Sequence, residues 1–118
     1  MASGNSRKEL GEHGEHRASE YIRELGFSLV AENFRSRFGE IDLIVSCGEQ
    51  LVFVEVKTRK TAFGMDPGFL VNRAKQQRIK KTALYFIAIH PEYQNYNFRF
   101  DVINIIDWKI EHLENAFQ

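Results

Sequence analysis

The chain has 118 residues, which is close to the commonest size of a single domain and is enough for one hydrophobic core. Its 16 basic and 16 acidic side chains give zero formal charge, which argues against a general polyanion binder, and its single cysteine excludes an internal disulfide. No stretch approaches the roughly 18 uncharged apolar residues of a membrane span, so we expect one cytoplasmic domain over residues 1–118, with residues 1–7 as a flexible tail.

A helix and three strands are predicted for the first half of the chain. Apolar residues recur with helical spacing from about Arg7 to Leu25, with Ala18 and Ile22 on the apolar stripe, and Gly26 is a natural helix stop. The segment "FSLVAEN" alternates apolar and polar residues and predicts a strand. Two further strands, "GEIDLIVSC" and "QLVFVEVKTR", are separated only by the "GE" of residues 48 and 49.

The second half of the chain predicts a loop, a helix and one or two strands. The segment "TAFGMDPG" is typical of a loop, and "FLVNRAKQQRIKKTALYFIAI" predicts a helix whose C-terminal half is apolar almost all round. The segment "HPEYQNYN" ends this helix, "FRFDVINII" predicts a strand, and "WKIEHL" suggests a last one. The order αβββαβ(β) predicts an α/β fold with helices packed on a mixed sheet.

Four ionisable side chains interrupt the two central strands: Glu40, Asp42, Glu55 and Lys57. Gly48 suits the first central position of a two-residue type II′ turn, which pairs residues whose numbers add up to 97. Asp42 would then face Glu55, and Glu40 would face Lys57. A four-residue loop gives the same register, whereas a three-residue loop shifts it by one. Like charges directly opposite each other destabilise a sheet, so the two carboxylates need a compensating proton or cation.

The paired carboxylates lie where an apolar strand becomes charged, at the rim of the predicted core. All-oxygen ligation of such a pair favours a hard cation, Mg²⁺ or Mn²⁺, which takes one or two carboxylates and completes its shell with water and phosphate oxygens. Lys57 lies two residues after Glu55, on the same strand face, where its charge could stand beside a phosphate or an attacking water. The alternative is a solvated strand face with an ordinary ion pair between Glu40 and Lys57.

Several segments together resemble the YraN-like family of small bacterial proteins: "GEIDLI" and "LVFVEVKTR", "GEHGEHRASEYIRELGF" before them, and "FGMDPGFLVNRAKQQRI" and "RFDVI" after them. This family is similar to archaeal Holliday junction resolvases of the PD-(D/E)xK nuclease superfamily. The resemblance implies a restriction-endonuclease-like fold, Mg²⁺ binding by Asp42 and Glu55, and assistance to the nucleophile by Lys57. Ile41 stands where the superfamily motif has proline, a departure that resolvase-like members tolerate.

The resemblance also implies a third metal ligand, branched DNA as substrate and a homodimer. Glu15 shares a helical face with Ala18 and Ile22, where a solvated glutamate is not expected, and it matches an acid that joins the metal site in resolvase-like proteins. Lys75 lies one turn before Ile79 on the inward stripe of the second helix. For Glu15 and Lys75 the alternative is a long side chain that lies along the helix edge with its charge in water.

The basic residues are segregated along the chain. The segment from Lys57 to Lys81 has eight basic residues and one acid, Asp66, which predicts a surface that contacts DNA phosphates or, alternatively, only the solvated face of the second helix. His13 and His16 are interpreted as solvent-facing side chains and not as metal ligands. The predicted DNA-contacting residues are Arg35, Arg37, Arg59, Arg73, Lys75, Gln76, Arg78, Lys80 and Lys81.

Three functional hypotheses follow. The first is a Mg²⁺- or Mn²⁺-dependent endonuclease acting on branched or otherwise structured DNA, with Glu15, Asp42 and Glu55 as metal ligands and Lys57 positioning water. The second is a non-catalytic nucleic-acid-binding or adaptor module that retains the nuclease fold. The third is a protein partner of a DNA-processing complex.

Overall fold

The computed structural model of the protein describes residues 6–59 and 71–118, and the side chains of residues 13–58 and 71–118. The predicted loop "TAFGMDPG" and residues 1–5 of the predicted tail lie outside the described residues. Residues 6 and 7, predicted as part of the tail, already belong to the first helix. The helices and strands are α1 (Ser6–Glu24), β1 (Ser28–Ser36), β2 (Gly39–Cys47), β3 (Gln50–Arg59), α2 (Arg73–Ile89), β4 (Asn97–Ile106) and β5 (Lys109–Phe117), with a short 3-10 turn at Pro91–Tyr93.

The strands form a five-stranded mixed sheet in the order β1-β2-β3-β4-β5. The pair β3–β4 is parallel and is connected through α2, while the other neighbouring strands are antiparallel. The predicted α/β class is therefore confirmed, and the final segment "WKIEHL" is a strand that pairs with β4. This mixed sheet with two helices is compatible with a restriction-endonuclease-like core.

The sheet has a hydrophobic core on each face, and each core is covered by one helix. Ala18 and Ile22 of α1 pack on one face, and Ile79 and Phe86 of α2 pack on the other. Alternate residues of β3 supply both cores because successive strand side chains point to opposite faces. Val52 and Val54 belong to the α1 core, while Leu51 and Phe53 belong to the α2 core.

The predicted turn between β2 and β3 is confirmed. Gly48 has φ +60°, whereas Glu49 is not among the residues with positive φ, as a type II′ turn requires. The ladder runs from Cys47 opposite Gln50 to Leu43 opposite Val54, so paired numbers add up to 97 as predicted.

Helix α1 ends one residue earlier than predicted and approaches β3 closely. Leu25 lies beyond its end and is half exposed, so it does not extend the apolar stripe. At Gly14 the helix lies so near β3 that a Cβ atom would collide with the Oγ1 atom of Thr58. The absence of a side chain at Gly14 thus allows α1 to bring Glu15 to the end of β3. Within residues 6–59 and 71–118, no helix combines the length and apolar composition needed to cross a membrane.

Candidate metal and nucleic-acid site

Asp42 lies where β2 departs from its regular pairing with β3. The regular ladder ends at Leu43 and Val54. The prediction that Asp42 and Glu55 pair directly in the ladder is therefore wrong. Instead, Asp42 Oδ2 accepts a hydrogen bond from the backbone N–H of Val56 at 2.8 Å. The Asp42 side chain thus accepts a hydrogen bond from a backbone N–H of β3 at the point where the ladder stops, and this contact holds its carboxyl group against β3.

The carboxyl groups of Asp42 and Glu55 are neighbours. Burial, followed by the charge of Glu55, raises the pKa of Asp42 to about 8, although the hydrogen bond from Val56 opposes this rise. The charge of Glu15 adds to the rise, and so does a side-chain hydrogen bond between Asp42 and Glu55. At neutral pH Asp42 therefore retains a proton unless a cation neutralises the pair.

Glu55 is the most buried acid of the site, and its charge is compensated by α2. Its side chain is 5% exposed and forms an ion pair with the ammonium group of Lys75. The sequence assigned Lys75 to the DNA-contacting surface, but the structure brings it to the carboxylates. The inward position predicted for Lys75, one turn before Ile79, accounts for this contact.

Asn33, a residue that was not predicted from the sequence, lies between Glu15 and Glu40. With its side-chain nitrogen turned toward the acids, Asn33 lies 3.3 Å from Glu15 Oε1 and 3.0 Å from Glu40 Oε2. Burial raises the pKa of Glu15, and the hydrogen bond from Asn33 opposes this rise. The negative charges of Glu40, Glu32 and Glu55 raise the pKa further. Asn33 has a φ of +50°, a conformation that asparagine tolerates. The available sequence signal was the asparagine itself, at the end of the predicted strand.

Glu40 and Lys57 have different strand neighbours from those predicted. Glu40 lies opposite Arg35 in the β1–β2 ladder, and its Oε2 atom is 3.5 Å from Arg35 Nε. Lys57 lies opposite Asn104 in the parallel β3–β4 ladder and is half-buried. Asn104 is buried, and its side-chain oxygen and nitrogen have no hydrogen-bond partner among the residues that the structure describes.

The donor set is suited to a hard divalent cation, although it is not a closed cage. Asp42 and Glu55 supply oxygen ligands, and burial together with the charge of Glu55 raises the pKa of Asp42, so a bound cation would stabilise the ionised form of Asp42. Across the two described segments, however, no three His, Cys, Asp or Glu side chains form a ready metal site. Mg²⁺ and Mn²⁺ would therefore be held by Asp42 and Glu55, with Glu15 near them and the remaining ligands supplied by water or phosphate.

The predicted DNA-contacting residues divide into distinct groups. Arg35, Arg37 and Lys81 line an open groove between the β1–β2 turn and α2. Of the others, Arg73 and Arg78 are exposed on α2, Lys80 is half-buried beside them, and the Gln76 side chain donates to the backbone oxygen of Val71 at 2.9 Å. The side chain of Arg59 lies outside the described residues. His13 and His16 are both exposed, as expected.

A second polar cluster lies on the α1 face of the sheet and was not predicted. Asp101 is fully buried and accepts hydrogen bonds from Arg99 Nε and Nη2 at 2.8 and 2.9 Å, and from the backbone of Asn115 at 2.9 Å. His112 Nε2 lies 2.7 Å from the same carboxylate, and His112 Nδ1 lies 3.0 Å from the hydroxyl of Tyr21. This cluster ties β4 and β5 to α1.

Comparison with known proteins gives one consistent family. The model of the Uncharacterised protein family UPF0102 matches residues 14–105. A UPF0102 protein of Thermodesulfovibrio yellowstonii is 46% identical over 112 residues, which cover 95% of this chain and 98% of that protein. A UPF0102 protein of Caldicellulosiruptor bescii is 47% identical over 104 residues, covering 86% of this chain and 87% of its own length.

Proposed function

The chain belongs to the UPF0102, or YraN-like, family, and from this premise we propose that it is a Mg²⁺- or Mn²⁺-dependent endonuclease acting on the phosphodiesters of branched or otherwise structured DNA. One observation carries the proposal. Asp42 and Glu55 are brought together where the β2–β3 ladder ends, in a desolvated pair that favours positive charge. The resemblance of the family to Holliday junction resolvases makes a metal-dependent phosphodiesterase the chemistry that best uses this pair.

In this proposal each side chain has a separate task. Asp42 and Glu55 would hold the cation, whose chemistry would be to polarise the scissile phosphate and to lower the pKa of a bound water. Lys57 lies two residues after Glu55 on the same strand and orients the attacking water or neutralises the phosphate. Lys75 balances the negative charge of Glu55 in the metal-free protein, since its ammonium group forms an ion pair with that carboxylate.

A second candidate, a non-catalytic nucleic-acid-binding or adaptor module, is favoured by two observations. The described residues include no group of three potential metal ligands, and Glu55 already has a cationic partner in Lys75. A protein that had lost its metal but kept its fold could use Lys75 in this way to neutralise Glu55. The two candidates differ in cleavage and not in DNA binding.

The test is a nicking and cleavage screen with linear, forked and four-way DNA in the presence of Mg²⁺ or Mn²⁺. We expect cleavage by the wild type and a loss of several orders of magnitude in Asp42→Asn and Lys57→Ala. Asp107→Asn and Lys109→Ala are matched controls, because both residues are exposed at the β4–β5 turn, and they should cleave as the wild type does.

Three results would decide against the nuclease. DNA binding without metal-dependent cleavage on any substrate would favour the binding module. Equal cleavage by Asp42→Asn and the wild type would remove the carboxylate pair from the mechanism. Failure to bind DNA at low salt would leave the role of protein partner in a DNA-processing complex.

A further inference from the structure

An open groove of about 770 Å³ lies between the β1–β2 turn and the outer surface of α2. The side chains that line it in the described part of the chain include three cations and no acid. Its main lining residues are Arg35, Arg37, Phe38, Lys81, Leu84 and Tyr85. A groove with this composition combines positive charge with an apolar and aromatic surface.

The groove is built by a hydrogen-bonded joint between the turn and the helix. Ser36 Oγ accepts a hydrogen bond from the backbone N–H of Phe38 at 3.0 Å and lies 2.9 Å from Thr82 Oγ1 of α2. Gly39 continues this close approach, since a Cβ atom there would lie 3.3 Å from the Cβ of Arg78. The turn is therefore held at a defined position beside α2, and the groove is a fixed feature of the surface.

The cations and the aromatic rings are arranged together. Arg37 Cζ lies 5.0 Å and Lys81 Nζ 5.9 Å from the centroid of the Phe38 ring, so Phe38 helps to hold both charges at the groove. Tyr85 is 43% exposed although its ring lies 6.1 Å from that of Phe34, and the adjacent Leu84 is 67% exposed. An aromatic surface is thus left open beside the charges.

Unpaired nucleotides match both properties at once. Their phosphates require cations, and their exposed bases stack on aromatic side chains, whereas a duplex hides the faces of its bases. We propose that the groove binds an unpaired segment of a DNA strand, with a base stacked on Tyr85 and phosphates paired with Arg37 and Lys81. This inference rests on the proposed action on DNA and names the feature of the substrate that the protein recognises.

The groove also adjoins the carboxylate site. Arg35 lines the groove, and its Nε atom lies 3.5 Å from Glu40, which Asn33 connects to Glu15. A strand held in the groove would therefore continue toward the acids through its neighbouring nucleotides. Branch points and forks, where unpaired and paired segments meet, are the DNA structures that could occupy both places.

The first arm of the test measures binding without catalysis. Fluorescence anisotropy in EDTA compares a labelled oligothymidylate strand with a blunt duplex of equal length, at low salt. Tyr85→Leu keeps an apolar side chain beside Phe34 but removes the aromatic face, and it should weaken single-strand binding about tenfold or more while changing duplex binding little. Tyr85→Phe should bind as the wild type does. Trp108→Asn removes an exposed ring at the β4–β5 turn and serves as the control outside the groove.

The second arm tests the phosphate contacts. Arg37→Ala combined with Lys81→Ala should reduce the log–log salt slope of single-strand binding by about 1.4, since each phosphate contact on a single strand contributes about 0.7. The control combines Arg23→Ala with Lys109→Ala, which removes two exposed cations outside the groove and should leave the slope unchanged. Circular dichroism establishes that the variants remain folded.

The outcomes separate this inference from the nuclease proposal. Equal single-strand affinity of Tyr85→Leu and the wild type would overturn the groove proposal and leave metal-dependent cleavage untouched. Equal losses on single strand and duplex in every groove variant would also overturn it. Absence of cleavage, with the groove variants still selectively weakened for single strands, would refute the nuclease and support the groove.

Discussion

Asp42 is the residue on which the candidate site most depends. Its carboxyl group interacts with the backbone of β3 and with Glu55, and burial together with the charge of Glu55 raises its pKa to about 8. Folding requires that Asp42 either takes up a proton or is buried with its charge, and both cost free energy. A neutral side chain of the same size at position 42 would avoid this cost. The same unfavourable charge is what a divalent cation would relieve.

Two opposite effects are therefore expected of Asp42→Asn. In metal-free buffer at neutral pH it should raise the melting temperature, because the variant folds without taking up a proton. Mg²⁺ or Mn²⁺ should raise the melting temperature of the wild type, because the ion binds the folded carboxylate pair, and should have no such effect on Asp42→Asn. Differential scanning fluorimetry measures both, with Asp107→Asn as the control that retains the metal response. A wild type that is unaffected by millimolar metal would contradict the metal site.

Asp101 shows the opposite behaviour of a buried acid. Burial acts to raise its pKa, but hydrogen bonds from His112, Arg99 and the backbone of Asn115 outweigh that effect and lower it below the usual 3.8. The charged form is therefore stabilised by folding, and this stability is present above the unfolded pKa and is lost as the pH falls through the folded pKa.

Asp101→Ala should reduce the free energy of unfolding by about 3–5 kcal/mol, because it leaves the partly buried Arg99 and His112 without their shared, fully buried partner. Urea denaturation at neutral pH measures this loss. The part of the wild-type acid transition that falls below pH 3.8 should be weaker in the variant. Asp101→Asn preserves the size of the side chain and should lose less stability; an unchanged acid transition in both variants would argue against a charged Asp101.

The contact between α1 and β3 determines where Glu15 lies relative to the candidate site. Gly14 lies against Thr58, and the next residue, Glu15, contacts Asn33, which also contacts Glu40. The position of Glu15 therefore depends on how closely α1 can approach the end of β3. A side chain at Gly14 would separate the two elements at that point.

Gly14→Ala should destabilise the protein by about 1–3 kcal/mol, since its Cβ would collide with Thr58 and α1 would have to shift. Thr58→Ala removes the colliding hydroxyl and methyl groups, so the double variant should recover part of the loss. A double-mutant cycle in urea denaturation measures this coupling. Additive effects of the two substitutions would show that the contact does not limit the approach of α1.

The whole molecule has a net formal charge of zero, yet its basic residues are concentrated from Lys57 to Lys81. The described part of that segment places Arg73 and Arg78 on the exposed surface of α2, while Lys75 turns inward to Glu55. Helix α2 thus has exposed cations on one side and, on its inward side, a cation that pairs with Glu55. Under the proposed function, binding to DNA in general and recognition in the groove would therefore depend on different residues.

Arg73→Ala combined with Arg78→Ala should weaken binding to duplexes of every sequence and reduce the log–log salt slope by about 0.9 for each phosphate that is no longer neutralised. Both residues lie outside the groove lining, so the preference for single strands over duplex should persist. Salt titrations of duplex affinity measure the slope. An unchanged slope would mean that this side of α2 is only a solvated surface, the alternative that the charge pattern left open.

Local sequence determined much of the architecture. The helical spacing of Ala18 and Ile22, the alternation in the strands and the glycine at position 48 were sufficient for the α/β class and for the register of β2 and β3. They could be predicted because each depends on residues close together in the chain. The neighbouring positions of Asp42 and Glu55 followed from that same register, although the ladder ends one pair before them.

The partners of the charged residues were decided by tertiary structure alone. Lys75 binds Glu55 because α2 crosses the sheet on the face where Glu55 points, and a sequence pattern cannot specify that crossing. Asn33 meets Glu15 and Glu40 only after β1 and α1 pack together. The cluster around Asp101 joins Arg99 of β4 and His112 of β5 to Tyr21 of α1, which is distant from both in the sequence. Periodicity indicates which face a residue occupies, whereas the contacts that set a pKa or form a groove depend on the packing of distant segments.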